Sequence, residues 1–230
     1  MIYLSETIFV RQSGWLNPER LKETKVTIIG CGSLGSSVAT ALAKMGIGKF
    51  MLFDDDVVEA HNTPNQFFLK EEVGLKKVDA LEKRIKQFSP HPDKELEIIK
   101  YPFKFIAAPE EPLGEFLVIA VANNESRQKI LKIIEFEENP VYIIDTRSGG
   151  LFITVYALGN DEKRKERWKK ELEGATPIEV DCTEQTIIFT VLYSAATVAS
   201  IIFNVLRNRK DQISYSYEFD CEHKFCITGR

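Results

Sequence analysis

The chain has 230 residues, 44% of them hydrophobic and 28% charged, with a formal net charge of -4 at pH 7. That length suits one domain with a sizeable core, and the acidic balance excludes nucleic-acid binding through general basicity. The four cysteines, Cys31, Cys182, Cys221 and Cys226, make no CxxC pair, which argues against structural zinc and reads most of them as small buried hydrophobes in a reducing cytoplasm.

Residues 1–6 carry neither the basic n-region nor the apolar h-region of a signal peptide. Asn17 before Pro18 predicts an N-capped short helix over 16–22. A strand over 25–29 leads into Gly30-Cys31-Gly32-Ser33-Leu34-Gly35, then a helix over 36–45 rich in Ala, Val and Leu. A second apolar strand over 50–53 ends at Asp54, nineteen residues past Gly35. Strand, Gly-rich turn, helix, strand and terminal acid make the dinucleotide-binding βαβ unit. Its glycines bring backbone N–H groups to phosphate oxygens beside a helix N-terminus, and the acid can hold a ribose hydroxyl. The alternative for the same turn is tight helix–strand packing with nothing bound.

Residues 55–68 are polar and too irregular for an element. Val78, Leu81 and Ile85 at helix spacing predict a helix over 73–87, stopped by Ser89-Pro90-His91-Pro92. A strand over 96–101 and a continuous apolar strand over 116–122 follow, the latter buried on both faces. A helix over 127–136 and strands over 141–145 and 151–157 complete an alternation that specifies a mainly parallel sheet with helices on both faces. Residues 160–173 are crowded with charge, as a solvated helix or mobile crossover anchored only by Trp168 and Leu172, or as a lid or partner-docking segment. An apolar helix over 187–206 lies in the core or at a subunit interface; its Ser, Thr, Tyr and Asn content argues against a membrane span, and no stretch of spanning length free of charge is expected. Strands over 213–219 and 224–228 form a terminal hairpin. The three histidines, His61, His91 and His223, are scattered and read as loop residues.

Asp54-Asp55-Asp56-Val57-Val58 leads to Asn62, Asn65-Gln66 and Gly74-Leu75-Lys76-Lys77. With Arg11-Gln12 upstream, 144–150 (Ile-Asp-Thr-Arg-Ser-Gly-Gly) and 180–186 (Val-Asp-Cys-Thr-Glu-Gln-Thr), this resembles the ThiF/MoeB/HesA adenylyltransferase superfamily, which includes the ubiquitin-activating enzymes. The resemblance covers nearly the whole chain. It implies one Rossmann-like domain over 1–230, with a core over 1–150 and a crossover segment, apolar helix and C-terminal antiparallel strands over 151–230. It also implies a reaction: the C-terminal carboxylate of a small ubiquitin-like or sulfur-carrier protein attacks the α-phosphate of ATP, with Mg²⁺, in a cytoplasmic homodimer that needs neither nucleic acid nor membrane.

The resemblance assigns roles. The loop N–H groups of Gly30, Gly32, Ser33, Leu34 and Gly35 would cradle phosphate. Asp54 would accept ribose hydroxyls or, alternatively, cap the loop; Asp56 stands beside it. Lys77 would meet charge developing on the departing pyrophosphate, or be a solvated first-turn lysine. Asn62 and Gln66 would bond phosphates or form turns. Arg11 would reach phosphate from its own or a neighbouring subunit, or lie on the surface. Cys182 would accept a thioester or be a buried thiol.

Two departures stand out. Asn65 replaces the arginine that the family carries before Gln66, and Ala122 or Asn123 occupies the place of its magnesium-binding acid. An amide binds a hard cation more weakly than a carboxylate does, and Glu125 is the nearest substitute. No metal ligand is assigned. These departures leave open a non-catalytic nucleotide-binding scaffold or regulatory subunit. An NAD-dependent oxidoreductase is a third reading, which the order Asn62, Gln66, Lys77 disfavours.

Overall fold

The computed structural model describes residues 8–12, 14–134, 142–159, 161–174, 187–221 and 225–229. Helix α1 (Pro18–Glu23) is capped by Asn17, whose side chain accepts the Glu19 N–H at 2.9 Å. Strands and helices then alternate: β1 (Lys25–Ile29), α2 (Ser33–Met45), β2 (Lys49–Phe53), α3 (Lys77–Phe88), β3 (Glu97–Tyr101), β4 (Phe116–Ile119), α4 (Asn124–Ile134) and β5 (Tyr142–Gly149). β6 (Phe152–Gly159), α5 (Glu162–Gly174), α6 (Ile188–Leu206), β7 (Ser216–Asp220) and β8 (Phe225–Gly229) follow.

The strands form one sheet in the order β3-β2-β1-β4-β5-β6-β7-β8. β3 through β5 pair in parallel, and β5 through β8 are antiparallel. The strand side chains alternate between two cores. Val26, Ile28, Phe50, Leu52 and Val118 pack with α2, α3 and α6, while Ile29, Met51, Phe53, Leu117 and Ile119 pack with α4 and α5. Burial on both faces is what the unbroken apolar runs require. This is the Rossmann-like doubly wound sheet with an antiparallel extension that the sequence predicts.

Several boundaries differ. Helix α3 starts at Lys77 rather than 73, because Val73–Lys76 folds back on the preceding loop: Val58 donates to the Leu75 carbonyl, Gly74 to the Val58 carbonyl, and Val57 bridges Lys76. Inside 55–68, residues Ala60–Asn62 form a 3₁₀ turn. β4 ends at Ile119, so residues 120–122 leave the sheet, and α4 begins early, at Asn124.

Helix α6 corrects one expectation. Its 19 residues carry no charge and are long and apolar enough, by length and composition, to cross a membrane. One face packs on α2 and on β5 and β6, and its first turns leave Ile188, Phe189, Leu192 and Tyr193 exposed.

Candidate active site

The C-terminal ends of β1, β2 and β4 border a cavity of ≈ 730 Å³. β2 and β3 lie to one side of β1, β4 and β5 to the other, so the cavity sits where the strand order reverses, the usual ligand crevice of an open α/β sheet. It gathers Gly30, Gly32, Ser33, Leu34, Asp54, Asp56, Asn62, Gln66, Lys77 and Asn123 from four separate stretches of chain.

The loop geometry explains its glycines. Gly30 has φ +92° and backs onto the Ala120 carbonyl, and a Cβ on Gly35 would overlap the Gly30 carbonyl. Gly35 does not line the cavity; its role is close packing of helix on strand. Gly32 faces open space, which a Cβ would enter. Helix α2 starts beside it with no side chain capping its first N–H groups, an arrangement that favours an anion.

Asp54 does cap this loop. Its two oxygens accept the Cys31 N–H at 2.6 Å and the Asp56 N–H at 2.9 Å. Burial pushes its carboxyl above the ordinary value, against the opposing pull of Lys77 and the two N–H groups. The same burial, reinforced by the Asp54 charge, pushes the Cys31 thiol well up, so this cysteine is a packing residue rather than a nucleophile.

Lys77 is held by Asp56, with Nζ 2.7 Å from the carboxylate and its own N–H on the Asp56 carbonyl at 3.0 Å. Asn62 is buried; its Oδ1 accepts the Glu59 N–H at 2.9 Å, which makes it a turn-former and leaves its amide NH₂ as the donor group. Gln66 lines the cavity with a buried Oε1 that has no hydrogen-bond partner among the described residues. A nucleotide hydroxyl or amino group could satisfy it. The loop bearing both is tied to α2 by the Phe67 N–H on the Ser36 hydroxyl at 3.1 Å.

Asn123 is exposed, and its Oδ1 accepts the Ser126 N–H at 2.9 Å. It therefore acts as the N-cap of α4. The neighbouring Glu125 is engaged by Lys129 at 2.6 Å. The three consecutive acids Asp54, Asp55 and Asp56 bring their oxygens within 4.8 Å of one another, but two of them are committed to backbone N–H groups and to Lys77.

Arg11 is exposed and does not line this cavity; its neighbour Gln12 donates to the Met45 carbonyl at 3.0 Å, at the far end of α2 from the glycine loop. Cys182 lies outside the described residues. Conversely, the cavity includes Lys104, Phe105, Ile106 and Lys129, which carry no motif, and Ser148 from the 144–150 stretch, to which no role was assigned. The only sequence signal of the first four is a place just beyond the C-terminal end of a strand or in the first turns of a helix.

Residues 4–212 match the ThiF family. The chain belongs to that family. A ubiquitin-like modifier-activating enzyme 5 of Branchiostoma floridae is 41% identical over 85 residues, 37% of this chain and 20% of that protein. Its Arabidopsis thaliana counterpart is 39% identical over 74 residues, 32% and 17%. The matched stretch thus spans about a fifth of these relatives. Among solved structures, E. coli MccB with ATP superposes at TM-score 0.66 with 17% identity, over 93% of this chain and 65% of that one. PaaA does so at TM-score 0.66 with 20% identity, over 91% and 64%. At those identities the superpositions establish the ThiF-type fold.

Proposed function

We propose that this ThiF-family chain binds ATP in the cavity and adenylates the C-terminal carboxylate of a small ubiquitin-like, sulfur-carrier or peptide substrate. One observation carries the reading: an uncapped helix N-terminus, an open glycine cradle and Lys77 converge on one crevice with Asp54 beside them. A carboxylate oxygen would attack the α-phosphorus. The bond from that phosphorus to its bridging oxygen would break, and pyrophosphate would leave with the electron pair, giving an acyl adenylate. The loop N–H groups would hold phosphate oxygens, and Lys77 would oppose the charge that grows on the leaving group. Family membership favours ATP over NAD. MccB has been solved with ATP and with MccA, and the ubiquitin-like modifier-activating relatives support a protein or peptide carboxylate.

The residues fit a nucleotide better than they fit magnesium. The wall from Val121 to Arg127 offers Ala122 and Asn123 where the family places its acid, Asn123 is spent on the helix cap, and Glu125 is paired. No step is assigned to a metal. A cytoplasmic homodimer belongs to the proposal. The dimer is supported by the exposed apolar start of α6, and Arg11 does not line this chain's own cavity.

A second reading has its own support. Lys77 and Lys129 are each matched by a carboxylate, and the family's arginine is Asn65, a pattern suited to a nucleotide-binding scaffold without turnover. Pyrophosphate exchange into ATP, measured with β-grasp carrier proteins ending in Gly-Gly and with MccA-type peptides, separates the two. Exchange supports adenylation, whereas calorimetric ATP binding with no exchange supports the scaffold.

A further inference from the structure

One buried cluster beside the cavity has no part in the reaction just described. Asp145, on β5 and fully buried, accepts hydrogen bonds from Arg127 Nε at 2.9 Å, Arg147 Nε at 2.6 Å and Trp168 Nε1 at 2.8 Å. Burial alone would push its carboxyl up; the two guanidinium groups outweigh that and hold it below the ordinary value. The donors come from α4, from β5 itself and from α5. Arg127 reaches further still: its Nη2 donates to the Val121 carbonyl at 2.7 Å and to the Thr146 carbonyl at 3.3 Å. Val121 and Arg127 both line the cavity.

A continuous set of charge-assisted bonds therefore runs from the cavity wall to the middle of α5. Breaking the Arg127–Asp145 link would weaken a buried ion pair, the costly way to accommodate a shift of the wall. A shift passed along these bonds reaches α5 at Trp168, which with Leu172 is buried, while Arg164 ties the first turn of the helix to the Ala157 and Ile213 carbonyls at 2.9 and 3.0 Å.

We infer that Trp168 is a positioning residue, through which the placement of α5 is coupled to nucleotide occupancy of the cavity by way of Asp145, Arg127 and the Val121 carbonyl. The inference rests on the nucleotide-binding reading. A ligand that shifts the Val121–Asn123 wall shifts Arg127, and the carboxylate and indole follow. By linkage, the state of the indole contact alters ATP affinity in return.

The chain has two tryptophans, and the other, Trp15, is exposed and stacks on Arg207 at 5.0 Å. Trp15→Phe therefore leaves Trp168 as the reporter. ATP is titrated into this variant with emission and calorimetry read in parallel, and folding is checked by thermal melting. The expected result is an emission change that saturates at the calorimetric midpoint. Adding Arg127→Lys keeps the charge at the cavity wall but cannot span Asp145 and Val121 together, so the emission change should be lost even at ATP concentrations that saturate the variant by calorimetry. In the otherwise unaltered chain, Trp168→Phe keeps an aromatic ring but loses the N–H, and should change ATP affinity at least about three-fold, whereas Glu166→Ala on the outer face of α5 should not.

Calorimetric saturation without an emission change would overturn the inference alone, as would wild-type ATP affinity in a folded Trp168→Phe variant. The latter carries the test if Arg127→Lys does not fold. Absence of ATP binding to the unaltered chain would overturn this inference and the proposed function together.

Discussion

The Lys77 ammonium is nearly buried, and the carboxylate that holds it 2.7 Å away, on Asp56, is mostly exposed. To meet a phosphate, Lys77 must leave or share that partner. Asp56→Asn should therefore raise ATP affinity a few-fold at low salt, and the gain should fade as ionic strength rises, because an exposed carboxylate is easily screened. Lys77→Ala should lower pyrophosphate exchange by roughly 10²–10³ if the lysine stabilises the departing charge. Calorimetry at two salt concentrations and an exchange assay read the two effects. Undiminished exchange in Lys77→Ala would remove the residue from the chemistry.

Asp54 has two candidate duties, and alanine cannot separate them. Its oxygens already accept two backbone N–H groups that shape the loop, so Asp54→Ala should weaken ATP binding even if no ribose touches it. The discriminating measurement compares ATP with 2′,3′-dideoxy-ATP on wild type and on Asp54→Asn. A ribose role predicts that losing the hydroxyls costs wild type about ten-fold, as for a charge-assisted bond, and costs the variant little. Equal penalties in both proteins would leave Asp54 as a loop cap only.

Asn123 caps α4 through its Oδ1, and aspartate caps a helix equally well. Asn123→Asp should therefore keep the fold and slightly raise the melting temperature, since the new charge sits at a helix N-terminus. If the wall can meet a nucleotide-bound cation, the same substitution should strengthen ATP binding in magnesium and weaken it in chelator. Ala122→Asp tests the neighbouring position. ATP titrations with and without magnesium decide it; unchanged magnesium dependence in both variants would mean that the wall no longer takes part in metal chemistry.

Asp145 gives a stability prediction with a definite sign. Its folded carboxyl is held below the ordinary value of 3.8, against the opposing effect of burial, by Arg127 and Arg147. A depressed carboxyl contributes stability that is fully present above the unfolded value and is lost as pH falls through the folded one. Asp145→Asn should destabilise by roughly 3–5 kcal/mol at neutral pH, the usual result of breaking a buried ion pair. The gap from wild type should narrow only below about pH 4. Urea melts from pH 7 to pH 3 check both the size and the direction.

The exposed start of α6 predicts association. At tens of micromolar, light scattering should report a dimer, and Leu192→Glu should shift it toward monomer, because a charge in an apolar contact is left unpaired. A monomeric wild type would reject the homodimer.

The order of elements around Gly30–Gly35 was legible from residues alone. Apolar runs with period and punctuation specify strand, turn and helix locally, and the motif residues Gly32, Asp54, Asn62, Gln66 and Lys77 line one crevice in the fold. Partnership was not legible. Local pattern places a side chain on an element, but which charges meet depends on strand order and helix packing, and these bring together residues far apart in the chain. Asp56 holding Lys77 from 21 positions away and Asp145 joining Arg127 to Trp168 were both decided there. So was the start of α3: the spacing of Val78, Leu81 and Ile85 reads as a helix from Val73, but Gly74 sits at φ +94° and pairs with Val58, as does Leu75, so the helix begins only at Lys77.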